Sequence, residues 1–269
     1  MSIDSKEHLF DIAKKWVLEA GKEIRKKMNH PISVELKSGI KDLVTTLDKE
    51  TEKFFVDRIR GKFPNHRIIG EEGYGDKVDT LHGIVWIIDP IDGTTNFVHQ
   101  QRNFAISLGI YRNGIGEIGL IYDVMQDILY SAMRNEGAYK NNKRLPKLEK
   151  KIPLEEAILA LNHTWLCNNR LVDEAVMQHL AQTLRGTRTY GSAALEFAYV
   201  AEGIIDGYLA MSLQPWDVAA GIVLVNEVGG ITTTIGGEEV EMLEKNSIFT
   251  SNKYVHIEVI ENFLEIGRK

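Results

Sequence analysis

Apolar residues recur at helical spacing near the start of the chain. Leu9, Ala13, Trp16, Val17, Ala20 and Ile24 share one face and predict an amphipathic helix over residues 4–28. The short basic runs Lys14–Lys15 and Lys26–Lys27 read as its solvated face. Leu47, Thr51, Phe54, Phe55 and Ile59 predict a second helix, stopped by Gly61 and Pro64. Between the two, residues 37–48 form a turn-prone stretch that leads into the second helix. The period then shortens. Arg67 to Gly70 reads as a short strand running into Glu71-Glu72-Gly73. Gly83 to Ile88 is an unbroken apolar run, as in a strand buried on both faces. Asp89-Pro90 is expected to end it, because proline cannot continue a central ladder.

Residues 104–140 predict an antiparallel meander. Ile106, Leu108 and Ile110 alternate, Asn113-Gly114 turns the chain, and Ile118, Leu120, Ile121, Ile128, Tyr130 and Ala132 continue the pattern. The second half alternates strand and helix. Strands are expected near 157–162, 204–211 and 247–251, and helices near 169–185, 192–203, 215–228 and 253–266. A meander followed by alternating elements implies a layered α/β or α+β protein.

Length and charge narrow the class. The chain has 269 residues, which suits one large domain or two intimate halves. Charges and prolines gather near residues 143–153 and mark the expected division, 1–145 and 146–269. No run is apolar enough to span a bilayer, and Met1–Phe10 lacks the apolar core of a signal peptide, so a cytoplasmic location is expected. The single cysteine, Cys167, rules out an internal disulfide and reads as a half-buried thiol without a catalytic signature around it. A net charge of −6 disfavours a general nucleic-acid binder but still admits a small anionic substrate, since bound metal can reverse the sign of a site.

Three acidic clusters stand where elements end: Gly70-Glu71-Glu72-Gly73, Asp89-Pro-Ile-Asp92-Gly-Thr94-Thr95, and Pro215-Trp216-Asp217 at a helix start. Asp89 and Asp92 flank a proline bend, so their carboxylates can converge with the Ile91 carbonyl between them. Like charges held that close repel unless a cation sits among them. Oxygen donors without cysteine or histidine point to magnesium, with manganese as a substitute, rather than zinc. Gly93 lets the backbone approach a ligand, and the amides and hydroxyls of Thr94 and Thr95 suit phosphate oxygens. Each piece also has a plainer reading. Asp89-Pro and Asp92-Gly are ordinary turn pairs, Asp217 an ordinary first-turn acid, and Asp48 a capping residue beside Thr45 and Thr46; Glu71 and Glu72 read equally as solvated loop acids.

Taken together, Glu71-Glu72, the Asp89 to Thr95 string and Trp216-Asp217-Val-Ala-Ala-Gly221 resemble the signatures of the inositol monophosphatase family, over about residues 5–265, and Leu213-Gln-Pro-Trp-Asp217 looks most like its bacterial branch. The resemblance implies a layered αβαβα sandwich, shared with fructose-1,6-bisphosphatase, and magnesium-dependent, lithium-sensitive hydrolysis of phosphate monoesters. It places Glu71, Asp89 and the Ile91 carbonyl on a first ion, Asp89, Asp92 and Asp217 on a second, and a looser third ion near Glu71. Thr94, oriented by Asp48, would activate the attacking water, and the backbone of Gly93 and Thr94 would cradle the phosphate. Ser192 and Ala193 fall in the family's glycine-threonine-alanine-alanine stretch, with serine in place of threonine; a small-residue helix start is the plain alternative. Animal members carry a glutamate seven residues before the aspartate of the tryptophan-aspartate motif, where this chain has Ala210, which implies broader specificity.

Inositol 1-phosphate is the first expected substrate. The 2′-phosphate of NADP, fructose 1,6-bisphosphate and 3′-phosphoadenosine 5′-phosphate are the alternatives. Arg185, Arg188 and Tyr190 are either contacts for an extended anionic substrate or solvated surface. A non-catalytic regulator binding RNA or transcription machinery is a separate class, disfavoured by the complete ligand set. A homodimer is expected, with no membrane partner.

Overall fold

The computed structural model describes residues 3–30, 33–36 and 43–269. Helix α1 (Lys6–Lys27) is capped by the Ser5 hydroxyl and buries the predicted stripe from Leu9 to Ile24. A short antiparallel pair, β1 (Val34–Leu36) and β2 (Leu43–Thr45), leads into α2 (Thr46–Lys62). Residues 37–42 of the expected turn lie outside the described residues. Gly61 does not stop α2, which runs one residue past it before Pro64 ends it. An exposed glycine lowers helix propensity by about 1 kcal/mol, which the packing of Phe55, Val56 and Ile59 outweighs.

Seven strands then form one sheet in the order of the chain: β3 (Arg67–Gly70), β4 (Ile84–Asp92), β5 (Ala105–Arg112), β6 (Ile115–Asp123), β7 (Ile128–Met133), β8 (Gly137–Lys140) and β9 (Lys143–Arg144). The helix α3 (Thr94–Gln100) interrupts the run between β4 and β5. Only β3 and β4 pair in parallel; the rest is the expected meander, with Asn113-Gly114 turning β5 into β6. The second sheet orders its strands β11 (Gly186–Arg188), β10 (Ile158–Leu161), β12 (Gly207–Leu213), β14 (Asn246–Ser251) and β13 (Ile231–Thr234). The short strands β11 and β13 carry too few apolar residues to show in the hydrophobic pattern. Helices α4 (Glu174–Thr183), α5 (Ala193–Glu202), α6 (Pro215–Glu227) and α7 (Lys253–Val259) complete the fold, and α7 continues through a π turn at 260–264.

Alternation along β4 explains the layering. Trp86 and Ile88 face α1 and α2, while Val85 and Ile87 face α5 and α6. The far side of α5 and α6 meets Tyr208, Ala210 and Ile248 of the second sheet. Leu159, Leu209 and Phe249 point the other way, onto α4 and α7. The order is therefore helix, sheet, helix, sheet, helix, as the resemblance implies. Packing is close where α6 crosses β6: a Cβ on Gly119 would lie 2.4 Å from the Ala220 carbonyl oxygen. Cys167 is exposed rather than half-buried, because it follows the short turn His163–Leu166 instead of entering a helix; α4 starts later than the expected 169. No helix among the described residues is long and apolar enough to cross a membrane.

Candidate active site

The strand β4 does not stop at Asp89. It continues through Pro90 to Asp92, because the ladder shifts register there: Asp89 faces Ser107 and Asp92 faces Ala105. Three steps on β4 match two on β5, which leaves one residue extra, as in a bulge. The bulge admits Pro90, whose missing N–H would otherwise break the ladder. It also has a chemical result. Residues three apart on a flat strand point to opposite faces; across the extra residue, Asp89 and Asp92 point to the same side. The Ile91 amide donates to Asp89 Oδ1 at 3.0 Å.

Asp217 arrives from α6. Pro215 opens that helix and Asp217 accepts from the Gln214 amide at 2.7 Å in a capping box. The plain reading of Asp217 as a helix-start acid is therefore correct, and the same position brings its carboxylate to Asp89 and Asp92. Carboxylate oxygens of Asp89, Asp92 and Asp217 all lie within 4.8 Å of one another, the first two buried and the third half-buried. Burial, then the charges of Glu71, Asp92 and Asp217, hold Asp89 well above the usual carboxylate range. Burial pushes Asp92 up to about 6, and burial with the Asp92 charge pushes Asp217 up to about 8. Carboxylates crowded this closely repel unless a proton or a cation lies among them. A divalent cation there would remove the repulsion, and the donor set is all oxygen. The residues fit magnesium.

Glu71 joins the group through strand register. Gly70 at the end of β3 pairs with Ile88, so Glu71 and Asp89 leave the parallel strands side by side. Its charge raises Asp48, Asp89, Asp92 and Asp217. The loop it starts is held by Glu52 of α2, whose buried carboxylate accepts from the Glu72 and Tyr74 amides at 2.6 and 2.8 Å. Sequence reasoning missed Glu52; the available signal was an acidic residue beside Thr51 on the apolar face with Phe55 and Val56.

Asp48 likewise has two roles. Its Oδ2 closes the capping box of α2, accepting from the Thr45 amide at 2.9 Å and from the Thr45 hydroxyl. Its Oδ1 accepts from Thr94 Oγ1 at 3.2 Å, and the same hydroxyl lies 3.1 Å from the Ile91 carbonyl oxygen. Burial raises the Asp48 pKa, partly offset by the Thr45 bonds. Gly93, with φ of 92°, turns β4 into α3, and no side chain among the described residues caps that helix start.

The second half supplies donors. Ser192 donates its hydroxyl to Asp92 Oδ2, and the Ala193 and Ala194 amides lie 3.3 and 2.8 Å from the same carboxylate. Ser192 also caps α5, as the plain reading of this stretch has it. Ala210 is buried among apolar neighbours and brings no polar group. Arg185 and Arg188 are exposed, and Arg188 bonds the Thr187 carbonyl. A cleft of about 350 Å³ beside the carboxylates is lined by Gly70, Lys77, Gln214 and Trp216. A cavity of about 490 Å³ around Tyr111, Ile222 and Glu227 lies at the far end of α6, roughly 15 Å along the helix from Asp217 at 1.5 Å per residue.

The chain is similar to known proteins over nearly its whole length. A sequence profile of the inositol monophosphatase family matches residues 5–268. An inositol-1-monophosphatase of Bacillus subtilis is 57% identical over 254 residues, covering 94% of this chain and 96% of that protein. The inositol monophosphate-bound structure of inositol monophosphatase-II from Staphylococcus aureus superposes with a TM-score of 0.88 at 40% identity, over 97% of this chain and 96% of that one. A bifunctional inositol monophosphatase/NADP phosphatase solved with Mg2+ and phosphate gives 0.86 at 26% identity, over 95% of each chain.

Proposed function

This chain belongs to the inositol monophosphatase family, and we propose that it hydrolyses inositol 1-phosphate and other small phosphate monoesters with magnesium. The convergence of Asp89, Asp92 and Asp217 carries this reading. Glu71, Asp89 and the Ile91 carbonyl would hold one ion; Asp89, Asp92 and Asp217 would hold a second, and a third would lie loosely near Glu71. Bound magnesium, or manganese in its place, supplies the positive charge that lowers the pKa of a water and offsets charge on the phosphate.

The chain's own groups do the rest. Thr94 donates to Asp48 and keeps lone pairs free to accept from the attacking water. As that water attacks phosphorus, its proton has a path through Thr94 Oγ1 to Asp48 Oδ1. The backbone of Gly93 and Thr94 would receive phosphate oxygens, and Ser192 and Ala193 border the leaving group as well as Asp92. Positioning and charge neutralisation suffice for phosphoryl transfer, so no covalent nucleophile is required.

With alanine at position 210, the leaving-group side lacks the carboxylate that would select one polyol, so broad specificity is expected. The 2′-phosphate of NADP, fructose 1,6-bisphosphate and 3′-phosphoadenosine 5′-phosphate are the further candidates. Two intimate halves, 1–145 and 146–269, a homodimer and a cytoplasmic location belong to the same reading. A phosphate-release screen with magnesium and with chelator tests it. Comparable turnover of inositol 1-phosphate, glycerol 2-phosphate and NADP, abolished by chelator, is expected. Release indifferent to chelator, or none from any ester, would overturn it.

A further inference from the structure

Asp92 receives all three of its donors from one turn of chain, Ser192 to Ala194. That turn is itself gripped at the peptide preceding it. The Tyr190 carbonyl accepts from Asn96 Nδ2 at 2.7 Å, and the Tyr190 and Gly191 amides donate to Glu196 Oε1 at 2.6 and 3.3 Å. The two ends of the Tyr190–Gly191 peptide are thus held by side chains from two different helices, α3 and α5.

Neither holder is free to turn. The second Asn96 N–H goes to the Asn103 carbonyl at 2.8 Å, and its Oδ1 accepts from Gln100 at 3.1 Å. Glu196 is buried on a helix whose neighbouring positions are nearly all apolar, and Tyr208 hydrogen-bonds it. A buried carboxylate costs several kcal/mol unless it is hydrogen-bonded, and the partners of this one include the two loop amides. Gly191 has φ of 77°, and a Cβ there would meet Asn96 Nδ2 at 3.0 Å. The grip and the left-handed glycine together leave the chain one path into Ser192.

We propose that Asn96 and Glu196 are positioning residues for the metal site: by clamping the Tyr190–Gly191 peptide they aim Ser192 and the Ala193 and Ala194 amides at Asp92. Three directed donors occupy both lone pairs of Oδ2 and one of Oδ1, and leave the last Oδ1 lone pair for the side of Asp89 and Asp217. Partners of this kind set ligand orientation, and their loss costs roughly 10–100-fold in metal affinity. The inference rests on Asp92 being a metal ligand.

The test is calorimetric titration of the full chain with Mg2+, for wild type, Glu196→Ala, Glu196→Gln, Asn96→Ala and Asp92→Asn, with circular dichroism as a check on folding. Glu196→Ala and Asn96→Ala are expected to weaken Mg2+ binding about tenfold or more. They should raise the magnesium KM while keeping most of kcat at saturating metal. Glu196→Gln keeps an oxygen that accepts both amides and should bind Mg2+ close to wild type. Wild-type affinity in Asn96→Ala, or equal losses in the Gln and Ala variants of Glu196, would overturn the clamp. If Glu196→Ala does not fold, Asn96→Ala decides alone. If wild type does not bind Mg2+, or Asp92→Asn binds it equally well, the metal-site reading fails instead.

Discussion

Ser192 donates its hydroxyl to Asp92 from 100 residues further along the chain. The carboxylate stands at the C-terminal end of β4 in the seven-stranded sheet, and its donor opens a helix packed on that sheet's inner face. The reaction centre is therefore shared between two stretches of sequence that meet only in the folded molecule. The expectations below follow from that sharing and from the crowding of charge it produces.

Asp92→Asn should lower kcat by at least about 10²-fold, the scale set by loss of one preorganised electrostatic group. In chelator the same variant should melt above wild type, because it relieves a buried like-charge contact. Calorimetric melts with and without magnesium check this; a variant less stable than wild type in chelator counts against the repulsion.

In chelator, stability should fall as pH rises from about 4 to about 8. The ordinary value for these carboxyls is 3.8, and the fold raises Asp92 to about 6 and Asp217 to about 8. Between those limits the native state holds protons that the unfolded chain releases, so each unit of pH favours unfolding. Saturating magnesium should flatten the dependence. Guanidinium melts across this range give the slope, and a slope of the opposite sign in chelator would refute the assignment.

Thr94→Ala should cost about 10²-fold in kcat with Mg2+ affinity kept, and Thr94→Ser should recover most of it, since only the hydroxyl is at issue. Asp48→Ala should cost activity and, as the N3 partner of Thr45 in the capping box of α2, about 0.5–2 kcal/mol of stability. Parallel kinetics and melts separate the two effects; full activity in Thr94→Ala would remove the proton path.

Gly119→Ala should destabilise by about 1–3 kcal/mol, because its methyl would press on the Ala220 carbonyl. The same pressure displaces α6, which carries Asp217, so the magnesium KM should rise although Gly119 is not part of the site. An unchanged magnesium KM in a measurably destabilised variant would show that α6 yields locally.

The sequence revealed the long elements because each buries a continuous stripe: α1 through Leu9 to Ile24, β4 through Val85 to Ile88. It could not reveal β11 and β13, which join the second sheet by backbone pairing with few apolar side chains. The end of β4 is hidden in the sequence for a physical reason: proline forbids a regular ladder, and the bulge makes the ladder irregular. Acidic residues announced themselves by falling at element ends. Their supports did not. Glu52 sits mid-helix in α2 and Glu196 in the first turn of α5, where a lone acid looks like any solvated position until the fold buries it.

The distribution of the carboxylates along the chain also bears on synthesis. Glu71, Asp89 and Asp92 leave the ribosome well before Ser192 and Asp217. Domains generally fold as units, once enough of each has emerged. A nascent chain bearing only the early acids has half a cage and none of the donors that steady it, so it cannot hold an ion tightly or consume phosphate esters. The cluster is complete only once the last third of the polypeptide docks, and products that end before Asp217 lack one of its three carboxylates.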